Sequence, residues 1–255
     1  MGFLHEGHLR LVDEARRRTD AVALSIFVNP LQFGPAEDLS RYPRDLDRDR
    51  ELAASRGVDC LFVPDTAMMY PPGSDTRVVP GEAASRWEGA VRPGHFSGVL
   101  TVVAKLFNLV QPDVACFGRK DIQQAVLIRA MVHDLDWPVD IVVVPTVREP
   151  DGLALSSRNV YLSAADRAQA LGLSRALAAA ASAWRAGERH AHRLEAVVRD
   201  ALRVYPAVVA DYIAVCEPER MAPVADAPAG TIVALAARVG ATRLIDNIVL
   251  GEEQG

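Results

Sequence analysis

The sequence predicts an α/β protein with a parallel sheet covered by helices, followed by a smaller α+β domain. Up to about residue 147, short β-branched runs alternate with amphipathic stretches, which is typical of βαβ units. Beyond Pro150 and Gly152, a long alanine-rich stretch and a second helical pattern precede three consecutive strand patterns. Helices followed by a run of strands favour a separate α+β unit at the C-terminal end.

The predicted elements of the first part alternate along the chain. Apolar residues at three-and-four spacing predict helices over 9–17, 46–54, 98–109 and 122–133. Short β-branched runs predict strands over 21–28, 60–63, 114–117 and 141–147. The connection 29–43 is rich in proline and glycine, and we expect an irregular, mobile flap there.

The second part has a different texture. Its pattern predicts helices over 164–185 and 191–204, then strands over 210–215, 231–236 and 243–249. The hinge is expected near 146–151, where Pro150 and Gly152 interrupt the pattern. We therefore predict two domains, 1–146 and 147–255.

Composition narrows the class of protein. The 255 residues are 50% hydrophobic and 24% charged, a balance typical of globular proteins. A formal charge of −5 argues against a protein that mainly holds nucleic acid, because phosphate backbones need a basic face. The three cysteines are far apart, and no apolar stretch approaches a membrane span. These features favour a cytosolic protein with a small-molecule substrate.

The first candidate functional segment is His5-Glu6-Gly7-His8, just before a predicted helix. Two histidines, a glycine and the positive end of a helix dipole form an arrangement suited to phosphate. A metal pair is an alternative, but the spacing is not H-E-x-x-H and no third ligand is evident. Gly2 and Gly7 mimic a P-loop, yet His8 and Leu9 stand where Lys-Ser or Lys-Thr belongs, which excludes it. Ordinary surface histidines remain possible.

The second segment is 117–124, which reads F-G-R-K-D-I-Q-Q at the end of a predicted strand. Ligands of open parallel sheets bind at this end of the strands. Asp121 is expected to cap the following helix, and Lys120 offers a point charge to a phosphate. Taken alone, such a junction is more often structural than functional.

Two weaker segments complete the set. Ser156, Ser157 and Arg158 combine two hydroxyls with a guanidinium, a combination that can hold phosphate, although a plain turn is the default interpretation. Gln32 and Gln124 can each bond hydroxyl or carboxylate oxygens of a small polar substrate, although isolated glutamines usually lie on the surface.

The order and spacing of these segments resemble the pantothenate synthetase family across nearly the whole chain. The family segments M-G-x-L-H-x-G-H, F-V-N-P-x-Q-F, F-G-x-K-D-x-Q-Q, P-T-x-R-E and S-S-R-N correspond to 1–8, 27–33, 117–124, 145–149 and 156–159. Further matches lie at 42–44, 88–89, 92–93, 95–96 and 242–247. This family belongs to the nucleotidyltransferases with a histidine-x-glycine-histidine signature.

The resemblance implies a Rossmann-like domain holding ATP against pantoate, with a C-terminal domain as a lid. It implies an AMP-forming ligase of the coenzyme A pathway that condenses pantoate with β-alanine through a pantoyl adenylate, with Mg²⁺ and as a homodimer. The catalytic residues it implies are His5, His8, Lys120 and Arg158. The ATP-binding residues it implies are Met1, Gly2, Phe3, Leu4, His5, Glu6, Gly7, His8, Gly118, Arg119, Lys120, Asp121, Val147, Leu155, Ser156, Ser157 and Arg158. Gln32 and Gln124 would hold pantoate, and Gln32 would also meet β-alanine.

The chain departs from the family pattern in three places. Family members carry an earlier helix and a strand ending in Pro-Thr before the first motif, so the first strand of the sheet is expected to be missing and Met1 to be internal in the natural product. Arg119 stands where glutamate is usual, and Leu155 replaces a methionine. Another transferase of the same signature group, or a non-catalytic nucleotide-binding module, stays open as an alternative.

Overall fold

The structure is a computed structural model that describes residues 2–35 and 37–252. In its first part, the strands are β1 Ala23–Ser25, β2 Cys60–Phe62, β3 Val114–Gly118 and β4 Asp140–Val144. The helices are α1 Glu6–Arg18, α2 Leu46–Ser55, α3 Thr66–Met69, α4 Glu88–Val91, α5 His95–Val110 and α6 Ile122–Asp134. Short 3-10 turns at Pro30–Gln32, Glu82–Ser85 and Arg119–Asp121 join several of these elements.

The strands of this part pair in parallel, as the βαβ pattern predicts. β1 pairs with β2 and β3 with β4, and within the described residues these form separate two-stranded sheets. The strand predicted over 21–28 is only Ala23–Ser25, because its partner β2 offers three residues. The strand predicted over 141–147 ends at Val144, since Pro145 has no backbone N–H to continue the ladder.

The second part is an α+β unit. Two helices, α7 Ala164–Arg185 and α8 Ala191–Leu202, precede an antiparallel sheet in the order β5 Val208–Cys216, β6 Ile232–Val239 and β7 Thr242–Val249. Small residues of α7 that are fully buried, such as Ala170, Ala176 and Ala180, allow the helix to lie close to the sheet. The predicted fold class, a parallel α/β part followed by helices and consecutive strands, is therefore confirmed.

Helix α6 belongs to both parts of the molecule. One side contributes Leu127, Ile128 and Met131 to the core beneath α5. The other side packs Ile122 and Val126 against a cluster that contains residues of β5 and β6. The start of α6 is thus fixed by the C-terminal sheet, and the domain boundary at 146/147 stays a prediction.

A buried carboxylate links the two parts. Glu88 of α4 is 6% exposed, and both its oxygens accept hydrogen bonds from Arg243 of β7, at 2.6 and 2.8 Å. Arg92 approaches the same carboxylate at 3.3 Å, and Arg243 also pairs with Asp211 of β5 at 2.6 Å. Burial alone would raise the pKa of the Glu88 carboxyl, but Arg243 outweighs it and holds the pKa below its ordinary value. Glu88 therefore stays ionised until the pH falls through that lowered value.

No helix in the described part of the chain is both long and apolar enough to cross a membrane. The longest, α7, has 22 residues and includes Asp166, Arg167 and Arg175.

We expect Glu88→Gln to lower the free energy of unfolding by about 3–5 kcal/mol, because it leaves Arg243 and Arg92 without their shared buried counter-charge. Urea unfolding at pH 7 measures the loss. The matched control is Glu82→Gln, which removes an exposed pair with Arg86 and should cost no more than about 1 kcal/mol. Equal effects of the two variants would mean that the buried network contributes little.

Candidate active site

The first motif, His5-Glu6-Gly7-His8, forms the start of α1. His5 occupies the N-cap position, its backbone N–H donates to Nδ1 of His8 at 3.2 Å, and the two rings stack with centroids 3.9 Å apart. Because Nδ1 of His8 accepts this bond, Nε2 carries the proton of the neutral ring. Nδ1 of His5 is buried and has no hydrogen-bond partner among the described residues. The helix was predicted to begin at Leu9, and it begins at Glu6 because the histidine pair closes its first turn.

Both imidazoles are neutral near pH 7. Burial, together with the charge of Lys120, lowers the pKa of His5 to about 4. Burial also places the pKa of His8 well below its ordinary value, with the neighbouring His5 adding to the effect. The two imidazoles therefore carry no charge near pH 7, and the positive charge of the site comes from other residues.

Asp49 supports the backbone beneath this motif. Its carboxylate is 1% exposed and accepts the N–H groups of Phe3 at 2.7 Å and Leu4 at 2.6 Å. Phe3 has φ of 54°, a left-handed conformation that is uncommon outside glycine. Arg48 adds a bond to the Leu4 carbonyl at 2.8 Å. Sequence reasoning missed Asp49, because one acidic residue in a charged helical stretch carries no local signal.

The loop of residues 155–158, called the Ser156 loop, lies directly against the first motif. The side-chain hydroxyl of Ser157 donates to the carbonyl of Phe3 at 3.3 Å. A Cβ built on Gly7 would lie 3.7 Å from Cβ of Leu155, which is ordinary contact, but 3.0 Å from the His5 ring, so glycine makes room for that ring. Ser156 accepts the backbone N–H of Arg158 at 3.2 Å and so caps a 3-10 turn, Ser157–Tyr161. Ser156 thus makes the turn contact that its default interpretation expected.

Arg158 connects the same loop to the connection 29–43. Its Nε and Nη2 donate to the two carboxylate oxygens of Asp38 at 2.9 and 2.8 Å, and its guanidinium lies 5.6 Å from the centroid of the Tyr42 ring. Burial opposes ionisation of Asp38, but Arg158 outweighs it and lowers the pKa of that carboxyl. Both N–H groups of Nη1 and the second N–H of Nη2 have no hydrogen-bond partner among the described residues.

The second motif, residues 117–124, continues from the carboxyl end of β3. Lys120 and Asp121 lie in the 3-10 turn that leads into α6, and Lys120 lies close enough to lower the pKa values of both His5 and His8. No ion pair or hydrogen bond within residues 2–35 and 37–252 occupies the Lys120 ammonium group. Asp121 stands at the N-cap of α6 but makes no side-chain cap bond, so the expected cap is wrong. Its carboxylate lies near enough to His5 to raise the pKa of that ring, which opposes the effect of Lys120.

Gln32 is held by a buried scaffold. Its side-chain oxygen accepts from Asn29 at 3.2 Å, and Asn29 is 2% exposed and also bonded to the Gly98 carbonyl and Tyr70 hydroxyl. The backbone carbonyl of Gln32 accepts Nη2 of Arg92 at 3.1 Å and Nδ1 of His95 at 2.8 Å. The 3-10 turn that carries Gln32 therefore has little freedom to move.

Gln124 lies on the first turn of α6 and borders a crevice between α6, α5 and the C-terminal sheet. The crevice lining includes Glu88, Arg92, His95, Lys120, Asp121, Gln124, Tyr212 and Asn247. The backbone carbonyl of Gln32 bonds Arg92 and His95, and Gln124 lines the same crevice as that pair. The pKa of His95 is lowered, first by burial and then by Arg92, which fits a neutral ring that donates through Nδ1.

The structure therefore brings together segments that are distant in sequence. Three segments lie around the start of α1, namely Gly2 to His8, Gly118 to Asp121 and Leu155 to Arg158. Val147 joins them, because its carbonyl accepts the N–H of Leu155 at 3.0 Å. Met1, also assigned to ATP, lies outside the described residues. Arg119 turns away from the site and pairs with Glu252 at 2.5 Å. Within the described residues, no group of three or more His, Cys, Asp or Glu side chains is placed to hold a metal ion.

Comparison with known proteins decides the family. The family model described as Pantoate-beta-alanine ligase matches residues 1–249. The chain belongs to this ligase family. The chain is 55% identical over 254 residues to the pantothenate synthetase of Chloroflexus aurantiacus, which covers 99% of this chain and 90% of that protein.

Solved structures of pantoate–β-alanine ligases agree with the fold. The pantothenate synthetase of Thermus thermophilus superposes with a TM-score of 0.95 at 54% identity, covering 97% of this chain and 90% of that one. The ligase of Francisella tularensis, solved in complex with Beta-gamma ATP and Beta-alanine, gives a TM-score of 0.80 at 35% identity, covering 100% of this chain and 89% of that one. The resemblance inferred from the sequence is thereby confirmed.

We expect Gly98→Ala to displace the turn that carries Gln32. The added Cβ would lie 2.1 Å from the Leu31 carbonyl oxygen, so the turn must shift although alanine is the better helix former. Stability should fall by about 1–3 kcal/mol, and the Michaelis constant for pantoate should rise. The control Gly81→Ala has open space around its new Cβ and should change neither. A Gly98→Ala protein with parental stability and kinetics would contradict this packing.

We expect His5 to make stability depend on pH above the range of the carboxylates. Its folded pKa lies below that of the unfolded chain, so the unfolded state binds more protons between about pH 6.5 and 4. The free energy of unfolding must therefore fall as the pH drops from about 6.5 to 5. In His5→Gln, the slope of the free energy of unfolding against pH should be smaller by up to about 1.4 kcal/mol per pH unit. Urea titrations at several pH values measure it, and identical slopes would show that His5 titrates normally.

Proposed function

We propose that this chain condenses pantoate with β-alanine at the expense of ATP, through a pantoyl-adenylate intermediate, releasing AMP and pyrophosphate. The observation that carries the proposal is the meeting of three phosphate-handling segments around the start of α1. Family membership and the named relatives support the same reaction. Gln124, assigned to the small acid, lines the same crevice as Lys120 and Asp121, and the carbonyl of Gln32 bonds Arg92 and His95, which also line it.

The residue roles follow from the chemistry each side chain offers. ATP would lie along the backbone of the first motif, with Gly118 to Asp121, Val147 and Leu155 to Arg158 around it. Lys120 supplies the uncompensated positive charge, and His8 supplies a neutral donor through Nε2. His5 and Nη1 of Arg158 are further donors. The amides of Gln32 and Gln124 would bond the hydroxyl and carboxylate groups of pantoate.

In the first step, a carboxylate oxygen of pantoate attacks the α-phosphorus of ATP. The new oxygen–phosphorus bond forms as the bond to the bridging oxygen of the β-phosphate breaks, and pyrophosphate leaves with that electron pair. An ionised carboxylate needs no general base, so the protein contributes alignment and stabilisation of the negative charge. Lys120 and His8 would serve that stabilisation, since His8 lies on the first turn of α1 and Lys120 is near enough to lower the pKa of its ring.

In the second step, the amine nitrogen of β-alanine attacks the acyl carbon of the adenylate. The carbon–nitrogen bond forms, the carbon–oxygen bond to the phosphate breaks, and AMP leaves. An alkyl amine with a pKa near 10 is mostly protonated at neutral pH, so one proton must be lost to solvent before the attack, and the nitrogen loses a second as the amide forms. The Ser156 loop and the connection 29–43 are joined by the Arg158–Asp38 pair. Together they would enclose the mixed anhydride and keep water from it.

The donor set fits a magnesium ion that arrives with the phosphates of ATP. Magnesium usually keeps several waters and is bound through substrate phosphates and one or two carboxylates. Asp121 is the carboxylate beside His5 that has no hydrogen-bond partner among the described residues, and it would be available to such an ion. When bound, the ion would neutralise phosphate charge. The homodimer and cytosolic location implied by the resemblance stay predictions.

We expect the protein mixed with ATP, Mg²⁺ and pantoate to release about one equivalent of pyrophosphate per site and then nearly stop, because the adenylate stays bound. Adding β-alanine should restart turnover and yield AMP. Pyrophosphate and nucleotide analysis by chromatography measures both phases. Stoichiometric ADP, which indicates an acyl phosphate, would overturn the adenylate mechanism.

A pair of histidine variants serves as the control for this assay. His8→Ala should slow pyrophosphate release by about 10²–10³-fold, since it removes a donor to developing charge. His133→Ala removes a histidine whose side chain is 88% exposed on α6, and it should leave the rate unchanged. If both variants kept the parental rate, the first motif would have no catalytic part.

A further inference from the structure

Asn247 of β7 reaches from the C-terminal sheet into the turn that carries Lys120. Its side-chain Nδ2 donates to the carbonyl oxygen of Arg119 at 2.9 Å and to that of Lys120 at 3.0 Å. The residue is 3% exposed. Both hydrogens of one amide group are therefore used to hold two successive carbonyls of the 3-10 turn.

The orientation of this amide is set by its surroundings. Two carbonyl acceptors converge on one end of the side chain, so that end must be the NH₂ group, because an oxygen there would face two like dipoles. The other end, Oδ1, is buried and has no hydrogen-bond partner among the described residues. An unpaired buried oxygen costs stability, and an apolar side chain would avoid that cost. The contribution of Asn247 therefore lies in the two bonds to the turn.

The backbone on either side of Asn247 is itself fixed. Its own N–H donates to Oδ1 of Asp246 at 2.8 Å, and Asp246 is held by both terminal nitrogens of Arg148 at 2.7 and 3.0 Å. Across the sheet, Asn247 is in register with Ala234 of β6. The amide thus projects from a rigid position, which is what placing another group requires.

The position of Lys120 depends on the backbone of this turn. Its turn has no side-chain cap, and within residues 2–35 and 37–252 its ammonium group has neither an ion pair nor a hydrogen bond to orient it. A flexible lysine placed by its backbone alone follows any movement of that backbone. A shift of about 1 Å in such a group is enough to cost a large part of its effect on rate.

We propose that Asn247 is a positioning residue for Lys120. Through its two bonds to the turn, it sets where the ammonium group meets the phosphates of the nucleotide. This inference rests on the proposed function, in which Lys120 stabilises the departing pyrophosphate. It assigns to the C-terminal sheet a direct part in the chemistry of the first half-reaction.

The test is a double-mutant cycle with Asn247→Asp and Lys120→Ala. Asn247→Asp keeps the shape of the side chain but turns an oxygen towards the two carbonyls, so the turn should move. We expect pyrophosphate release in the first half-reaction to slow by about 10–100-fold in each single variant. In the Lys120→Ala background, Asn247→Asp should change the rate by less than about twofold, because nothing is left for it to place.

Asn159→Asp is the matched control. Asn159 also donates its Nδ2 to two oxygens, of Glu149 and Ala154, and also has a buried unpaired Oδ1, but it does not contact the Lys120 turn. Its effect on rate should be the same with and without Lys120. Asn247→Ala is measured alongside, and thermal unfolding shows which variants are folded. If Asn247→Asp does not fold, Asn247→Ala takes its place in the cycle.

The outcomes separate this inference from the function on which it rests. If Asn247 variants slow the parental protein and the Lys120→Ala protein equally, its role is structural and the inference is wrong. If Lys120→Ala alone retains the parental rate, Asn247 has no group to act through, and the inference is again wrong. If the parental protein releases no pyrophosphate, the proposed function fails, and the same cycle is measured on the affinity for a non-hydrolysable ATP analogue. Additive losses of affinity there would overturn the inference as well.

Discussion

The ion pair between Glu88 and Arg243 is the interaction on which the arrangement of this molecule depends. A carboxylate that is 6% exposed is tolerated only with counter-charges, and these come from β7 and from Arg92 beside α5. The same Arg92 donates to the carbonyl of Gln32. One buried charge thus holds the two parts together and, two contacts further on, the turn that carries Gln32.

The charge that the site offers to a ligand depends on which of its ionisable side chains already have partners within the protein. Asp49 is engaged by backbone N–H groups, Arg158 mainly by Asp38, and both histidines are neutral because of burial. Among the described residues, the Lys120 ammonium group, which lies near the two histidines, has neither an ion pair nor a hydrogen bond. A site of this kind attracts an anion to one place, and it keeps donors that need no reorganisation when charge moves during a reaction.

Sequence patterns predicted those elements whose signal is local. The predicted helix 164–185 coincides with α7, and the order of strands and helices is as the periodicity indicates. The short 3-10 turns and the helix α4 were not predicted, because their geometry depends on contacts with distant residues. The site motifs were recognisable from order and spacing, whereas Asp49 and Glu88 act through partners 45 and 155 positions away, which no local pattern contains.

The difference between these two groups of residues has a physical basis. The side chains of Lys120, Gln124 and Asp121, for which a part in substrate or metal binding is proposed, make no hydrogen bonds among the described residues. Side chains that place others, such as Asn29 and Asp49, are buried and hydrogen-bonded. Asn247 is buried as well, with its NH₂ group engaged, although its oxygen has no partner among the described residues. Motif spacing identifies the first group because substrate geometry constrains it, while the second group is identified only when the partners of each buried polar atom are followed through the structure.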